Sequence, residues 1–109
     1  MGGAIMPGVE LSALALAEKT SKLPLVELKP SKNILGKNTE ENIRTGVILG
    51  HAGAVERIIS EIIIETGKDF TVLATGGLVD LMKPYIKAID YVNHYLTFEG
   101  LIFIYELNS

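Results

Sequence analysis

Thr71-Val72-Leu73-Ala74-Thr75-Gly76-Gly77-Leu78-Val79-Asp80-Leu81 reads as a short buried strand, a Thr-Gly-Gly turn and the first turn of a helix. In an α/β layer a ligand approaches at the carboxyl end of such a strand. Glycine there brings backbone close to a ligand without a Cβ in the way. Taken alone, the turn stays open between a ligand-facing element and a plain structural one, because a two-glycine turn serves both.

Upstream, Gly36-Lys37-Asn38-Thr39-Glu40-Glu41-Asn42 opens the longest predicted helix. Asn38 suits the N-cap, and Glu41 stands where a capping-box acid reaches back. Glu40 and Glu41 also suit the positive end of the helix dipole. Ile43, Val47, Ile48, Val55, Ile58, Ile59 and Ile62 recur at helical spacing, and Gly67 is placed to end the helix. Gly46, Gly50 and Gly53 share one face. Each costs about 1 kcal/mol against alanine in a helix, so the face predicts a close approach, either to another subunit or within the fold.

Residues 1–8, with two glycines, two apolar residues and a Pro-Gly, resemble a strand end entering a tight loop more than a disposable terminus. Residues 9–23 predict a helix that Pro24 stops. Residues 25–28 are a short extended candidate. Beyond the Thr-Gly-Gly turn, residues 78–87 predict a short helix limited by Pro84, and residues 88–92 a weak strand. A last helix is expected from Leu96 or Thr97 through Leu107, with Leu101, Ile104 and Tyr105 inward; its aromatic content leaves a strand as the alternative. This order indicates α/β, with residues 1–109 as a single domain.

The 109 residues are 48% hydrophobic, with a mean hydropathy of +0.32. That is enough to bury a core, and the surplus points to surface meant for another domain or subunit. The net charge of −3 and pI near 5.3 favour neither nucleic acid nor an anionic membrane as partner. Lys22, Lys29, Lys32 and Lys37 against Glu27 form a local positive surplus, read either as a solvated face or as a steering patch for an anion. With no cysteine, disulfides, thiolate catalysis and zinc-thiolate sites are excluded. No apolar run reaches the roughly 18 residues of a membrane span, and the start lacks a signal-peptide layout. A cytoplasmic location is the expectation.

Catalytic groups are sparse. His51 and His94 lack ligand spacing, Asp80 and Asp90 are isolated, and no metal-binding cluster is visible in the sequence. Gly36-Lys37-Asn38-Thr39 lacks the first glycine of a Walker A loop. No catalytic residue and no metal ligand is therefore assigned.

The motifs are more specific together than apart. Gly2-Gly3-Ala4-Ile5-Met6-Pro7-Gly8, Lys22-Leu23-Pro24, Gly36-Lys37-Asn38-Thr39-Glu40-Glu41-Asn42, Thr75-Gly76-Gly77-Leu78 and Leu96-Thr97-Phe98-Glu99-Gly100-Leu101 follow in one order. Over essentially its whole length the chain resembles the C-terminal half of type III pantothenate kinases, members of the acetate kinase–sugar kinase–Hsp70–actin superfamily. The resemblance implies one ribonuclease-H-like (actin-like ATPase) half domain, with a mixed sheet and flanking helices. It implies ATP-dependent phosphorylation of pantothenate in coenzyme A biosynthesis, with Mg2+ and a monovalent cation (K+ or NH4+) in the complete enzyme.

By the same resemblance, Thr75, Gly76 and Gly77 match the adenosine motif. Thr39 matches a threonine that contacts pantothenate, in the family reaching the pocket of the neighbouring subunit. The Gly46, Gly50 and Gly53 face then belongs in or near a homodimer interface. The family's Asp-x-Gly-Asn-Thr, Gly-Ala-Asp-Arg and Asp-x-Gly-Thr-Ala segments carry phosphate contacts, the catalytic base and the monovalent-cation site. None occurs in these residues, so an N-terminal half is the expected partner. The other reading is a non-catalytic nucleotide-binding or protein-interaction module that retains the fold.

Overall fold

A computed structural model describes residues 3–20, 22–30, 33–76, 78–93 and 102–106. Helix α1 (Val9–Lys19) and helix α2 (Thr39–Thr66) precede strand β1 (Phe70–Thr75). Helix α3 (Val79–Met82), a 3-10 turn (Lys83–Tyr85), strand β2 (Tyr91–Asn93) and strand β3 (Ile102–Glu106) follow. The chain is mixed α/β. It divides into two compact units, Met1–His51 and Ala52–Ser109.

In the first unit, Val9, Ala13, Val26, Ile43, Val47 and Ile48 are buried. Helix α1 ends four residues earlier than Pro24 requires. The Thr20 hydroxyl donates to the Leu16 carbonyl at 2.6 Å and accepts the Leu23 N–H at 3.2 Å. A side chain that takes over a backbone partner competes with continued helix. The extended candidate at 25–28 forms no strand. It is held to α2 by other means: Val26 is buried, and the Arg44 Nε donates to the Glu27 carbonyl at 2.8 Å. The Thr45 hydroxyl adds a bond to the Asn33 carbonyl at 3.2 Å. Arg44 is only 9% exposed, and its charge faces Glu40 at 3.7 Å. Burial of a guanidinium needs such partners.

Helix α2 starts where the capping chemistry predicts. The Asn38 side chain accepts the Glu41 N–H at 2.9 Å. Glu41 reaches back to the Lys37 N–H at 2.6 Å, one residue before the cap residue itself. At the far end the Gly67 N–H closes onto the Ile63 carbonyl at 2.9 Å. The glycine face differs from one of its two readings: a Cβ at Gly46, Gly50 or Gly53 meets nothing within 4 Å. Among the described residues, close packing inside the fold does not account for it.

In the second unit, Ala52, Val55 and Ile59 of α2, Val72 and Ala74 of β1, and Val79, Met82, Ile86 and Ile89 are buried. Strand β1 is central, in the order β2-β1-β3. It runs parallel to β2, pairing Leu73 with Tyr91, Ala74 with Val92 and Thr75 with Asn93. It runs antiparallel to β3, from Phe70 opposite Glu106 to Ala74 opposite Ile102. The mixed sheet is thus present, although the last element is a correction. Residues 102–106 form a strand, the alternative reading, and not the tail of a helix; residues 96–101 lie outside the described ones. β-branched and aromatic residues favour that choice once a partner strand is available.

Two carboxylates extend the order around the sheet. Asp90 exchanges two bonds with Val72: its carboxylate accepts the Val72 N–H at 2.7 Å, and its own N–H donates to the Val72 carbonyl at 2.9 Å. The side chain thereby continues the β1–β2 ladder ahead of the start of β2. Glu56 accepts the Ala88 N–H at 3.1 Å and anchors the approach to β2. The predicted helix at 78–87 is shorter, one α turn followed by a 3-10 turn with Pro84 in it. The ring removes the donor that a longer helix needs.

Candidate functional site

Thr39 is the first residue of α2 and is exposed. Its position follows from the loop before it. The Asn42 amide, turned so that its nitrogen faces this loop, donates to the Gly36 carbonyl at 3.1 Å and the Asn38 carbonyl at 3.3 Å. Together with the Asn38 and Glu41 caps, it holds residues 36–38 in place ahead of Thr39. A Cβ on Gly36 runs into the Asn42 side chain, and meets the Asn42 N at 2.6 Å and the Glu41 carbonyl carbon at 2.8 Å. Only glycine fits that approach.

Thr39 lines an open groove of about 940 Å³, within the size range of small-molecule sites. Asn42, Gly46, Gly50 and His51 line it from α2, and Leu16 and Lys19 from α1. Gly46 and Gly50 give the groove room, since they place no side chain in it. The walls are largely apolar, with Ser12, Lys19, Thr20, Thr39, Asn42 and His51 as polar points. Of these, sequence reasoning identified only Thr39 as a site residue. Asn42 and Gly46 follow Thr39 at helical spacing, a signal available from the sequence; Lys19 comes from another element and has no such signal.

His51 is half-buried, and its Nδ1 has no hydrogen-bond partner among the described residues. Burial lowers its pKa from the ordinary 6.5, while a backbone hydrogen bond at Pro7 acts in the opposite direction. A lowered folded pKa means that the unfolded chain takes up the proton first, so stability rises with pH. The contribution is complete above 6.5 and is lost as pH falls through the lower folded value. Between about pH 7.5 and pH 5.5, His51→Gln is expected to lose less melting temperature than the parent chain. Equal losses in thermal melts of the two proteins would remove His51 as the cause.

The Thr-Gly-Gly turn belongs to the second unit. Thr75 is the last residue of β1 and is 2% exposed. Its hydroxyl donates to the Asn93 carbonyl at 2.7 Å. Gly76 has φ 127°, in the region that favours glycine. The Val79 N–H closes on the Gly76 carbonyl at 3.4 Å as α3 begins. Gly77 lies outside the described residues. Asn93 was not legible from sequence, because its pairing with Thr75 crosses 18 residues. Among the described residues no three His, Asp or Glu side chains gather as a metal site, and no helix is long and apolar enough to cross a membrane.

Comparison with known proteins gives a consistent result. The family model for type III pantothenate kinase matches residues 1–61. A type III pantothenate kinase of Roseiflexus sp. (strain RS-1) is 46% identical over 108 residues, covering 99% of this chain and 42% of the relative. That of Syntrophus aciditrophicus (strain SB) is 42% identical, covering 100% and 43%. That of Bacillus cytotoxicus is 40% identical, covering 100% and 42%. The chain therefore spans less than half the length of these curated relatives.

Proposed function

This chain belongs to the type III pantothenate kinase family, and we propose that it works as part of an ATP-dependent pantothenate kinase. The observation that carries this reading is 40–46% identity to kinases of that name along the whole chain. In this reading the 109 residues form one ribonuclease-H-like (actin-like ATPase) half domain of a cytoplasmic enzyme. Thr75, Gly76 and Gly77 form the adenosine side of the nucleotide cleft. Thr39 belongs to the pantothenate pocket, and the open glycine face of α2 belongs to a homodimer surface.

Phosphoryl transfer is chiefly positioning plus neutralisation of phosphate charge. These residues contribute the positioning: a turn against the nucleotide and a hydroxyl toward the acceptor substrate. Among the described residues no group of three or more His, Asp or Glu gathers as a multi-ligand metal site. The base and the phosphate loops are assigned to the N-terminal half of the kinase, and charge neutralisation goes with them.

The test is to assay the 109-residue chain with ATP and pantothenate, alone and mixed with an N-terminal half. Turnover only in the mixture supports the proposal. Robust turnover by the chain alone contradicts the assignment of the base elsewhere. ATP binding that never complements favours the non-catalytic module.

Thr39→Ala in the complete enzyme is expected to raise the pantothenate KM roughly 2- to 13-fold, the equivalent of one lost hydrogen bond of about 0.5–1.5 kcal/mol. The ATP KM should stay within about twofold, since the nucleotide is assigned to a different element. An unchanged pantothenate KM counts against Thr39 as a contact.

A further inference from the structure

We propose that Thr75 is a positioning residue, one that holds the glycine turn from behind and does not itself contact the nucleotide through a donated hydrogen bond. The inference rests on the nucleotide reading of the turn and deepens it. Thr75 is 2% exposed, so its side chain is turned into the protein. A threonine hydroxyl has one proton to donate. Here it goes to the Asn93 carbonyl at 2.7 Å. Thr75 and Asn93 are also the last paired residues of the parallel β1–β2 ladder.

The consequence lies one residue further on. Gly76 departs from the strand at φ 127°, and its carbonyl accepts the Val79 N–H. The direction in which the turn leaves the sheet therefore depends on where the end of β1 is fixed. Ladder bonds alone leave a strand end free to fray. The hydroxyl tie fixes the end of β1 to the end of β2, and Asp90 fixes the same pair of strands through both backbone groups of Val72. The two ties bracket the ladder. Thr75 is the one next to the turn.

The experiment compares Thr75→Val, which keeps the branched shape and loses the donor, with Thr75→Ser, which keeps the donor. Both are made in the complete kinase. In the ligand-free protein, amide hydrogen exchange at Val79 and Asn93 is expected to quicken about tenfold in Thr75→Val, as for loss of a hydrogen bond near 1.4 kcal/mol. The ATP KM should rise about fivefold, with the pantothenate KM within about twofold. Thr75→Ser should restore both. Should Thr75→Val not fold, Thr75→Cys, a weak donor, provides the same comparison at smaller amplitude.

A raised ATP KM with unchanged ligand-free exchange overturns the proposal in favour of direct contact. Faster exchange with an unchanged ATP KM overturns it in favour of a purely structural tie. No change in either overturns it outright. A parent kinase that does not use ATP sinks the nucleotide reading, and with it the positioning role, while the exchange measurement still decides whether the tie holds the turn.

Discussion

Gly36→Ala is expected to lower the melting temperature of the chain by roughly 10 °C, from a loss of about 2 kcal/mol. The physical cause is overlap with backbone. The added methyl meets the Asn42 N at 2.6 Å and the Glu41 carbonyl carbon at 2.8 Å. Neither atom can move without disturbing the first turn of α2. Moving it also loosens the Asn38 and Glu41 caps, and a lost cap costs about 1 kcal/mol. Thr39 then loses its fixed place beside the groove, so the pantothenate KM of the complete enzyme should rise with the fall in stability. Thermal unfolding of the two proteins decides it; a melting temperature within about 2 °C of the parent would show that the loop shifts at little cost.

The second large effect is expected at Gly76. Its φ of 127° lies where side chains other than glycine's are strained, at about 1–3 kcal/mol. Gly76→Val adds a β-branch to that strain. Relaxing it requires the turn to change path, so the ATP KM should rise tenfold or more, about 1.4 kcal/mol per decade. The pantothenate KM is the internal control. If the variant binds ATP as the parent does, the turn does not face the nucleotide.

What could be read from sequence was what is decided locally. The start of α2 was legible because Asn38, Glu41 and the glycine before them act within a short span of chain. Strand β1 was legible as an apolar run ending in glycine. The end of α1 was not, because the Thr20 hydroxyl stops the helix by a bond that the apolar pattern does not register. The strand at Ile102–Glu106 was only an alternative reading, since its β character depends on a partner some 30 residues away. In the site, Thr39, Thr75 and Gly76 were named through resemblance, and the structure adds what composition could not: Thr39 opens onto a groove, whereas Thr75 faces inward. The role of Gly77 stays with the resemblance, outside the described residues. Lys19 and Asn93 were missed because each reaches its place through tertiary contact.

The uncovered glycines of α2 have a practical consequence. The sequence contains no cysteine, so Gly53→Cys creates a unique thiol. Among the described residues a Cβ at Gly53 meets no neighbour within 4 Å, and exchange of a helix-interior glycine removes an entropic cost of up to about 1 kcal/mol. A spin label at that thiol then reports on its own surroundings without perturbing the fold. Narrow, mobile line shapes in the free chain that broaden when the N-terminal half or a second copy is added would map which association covers this face.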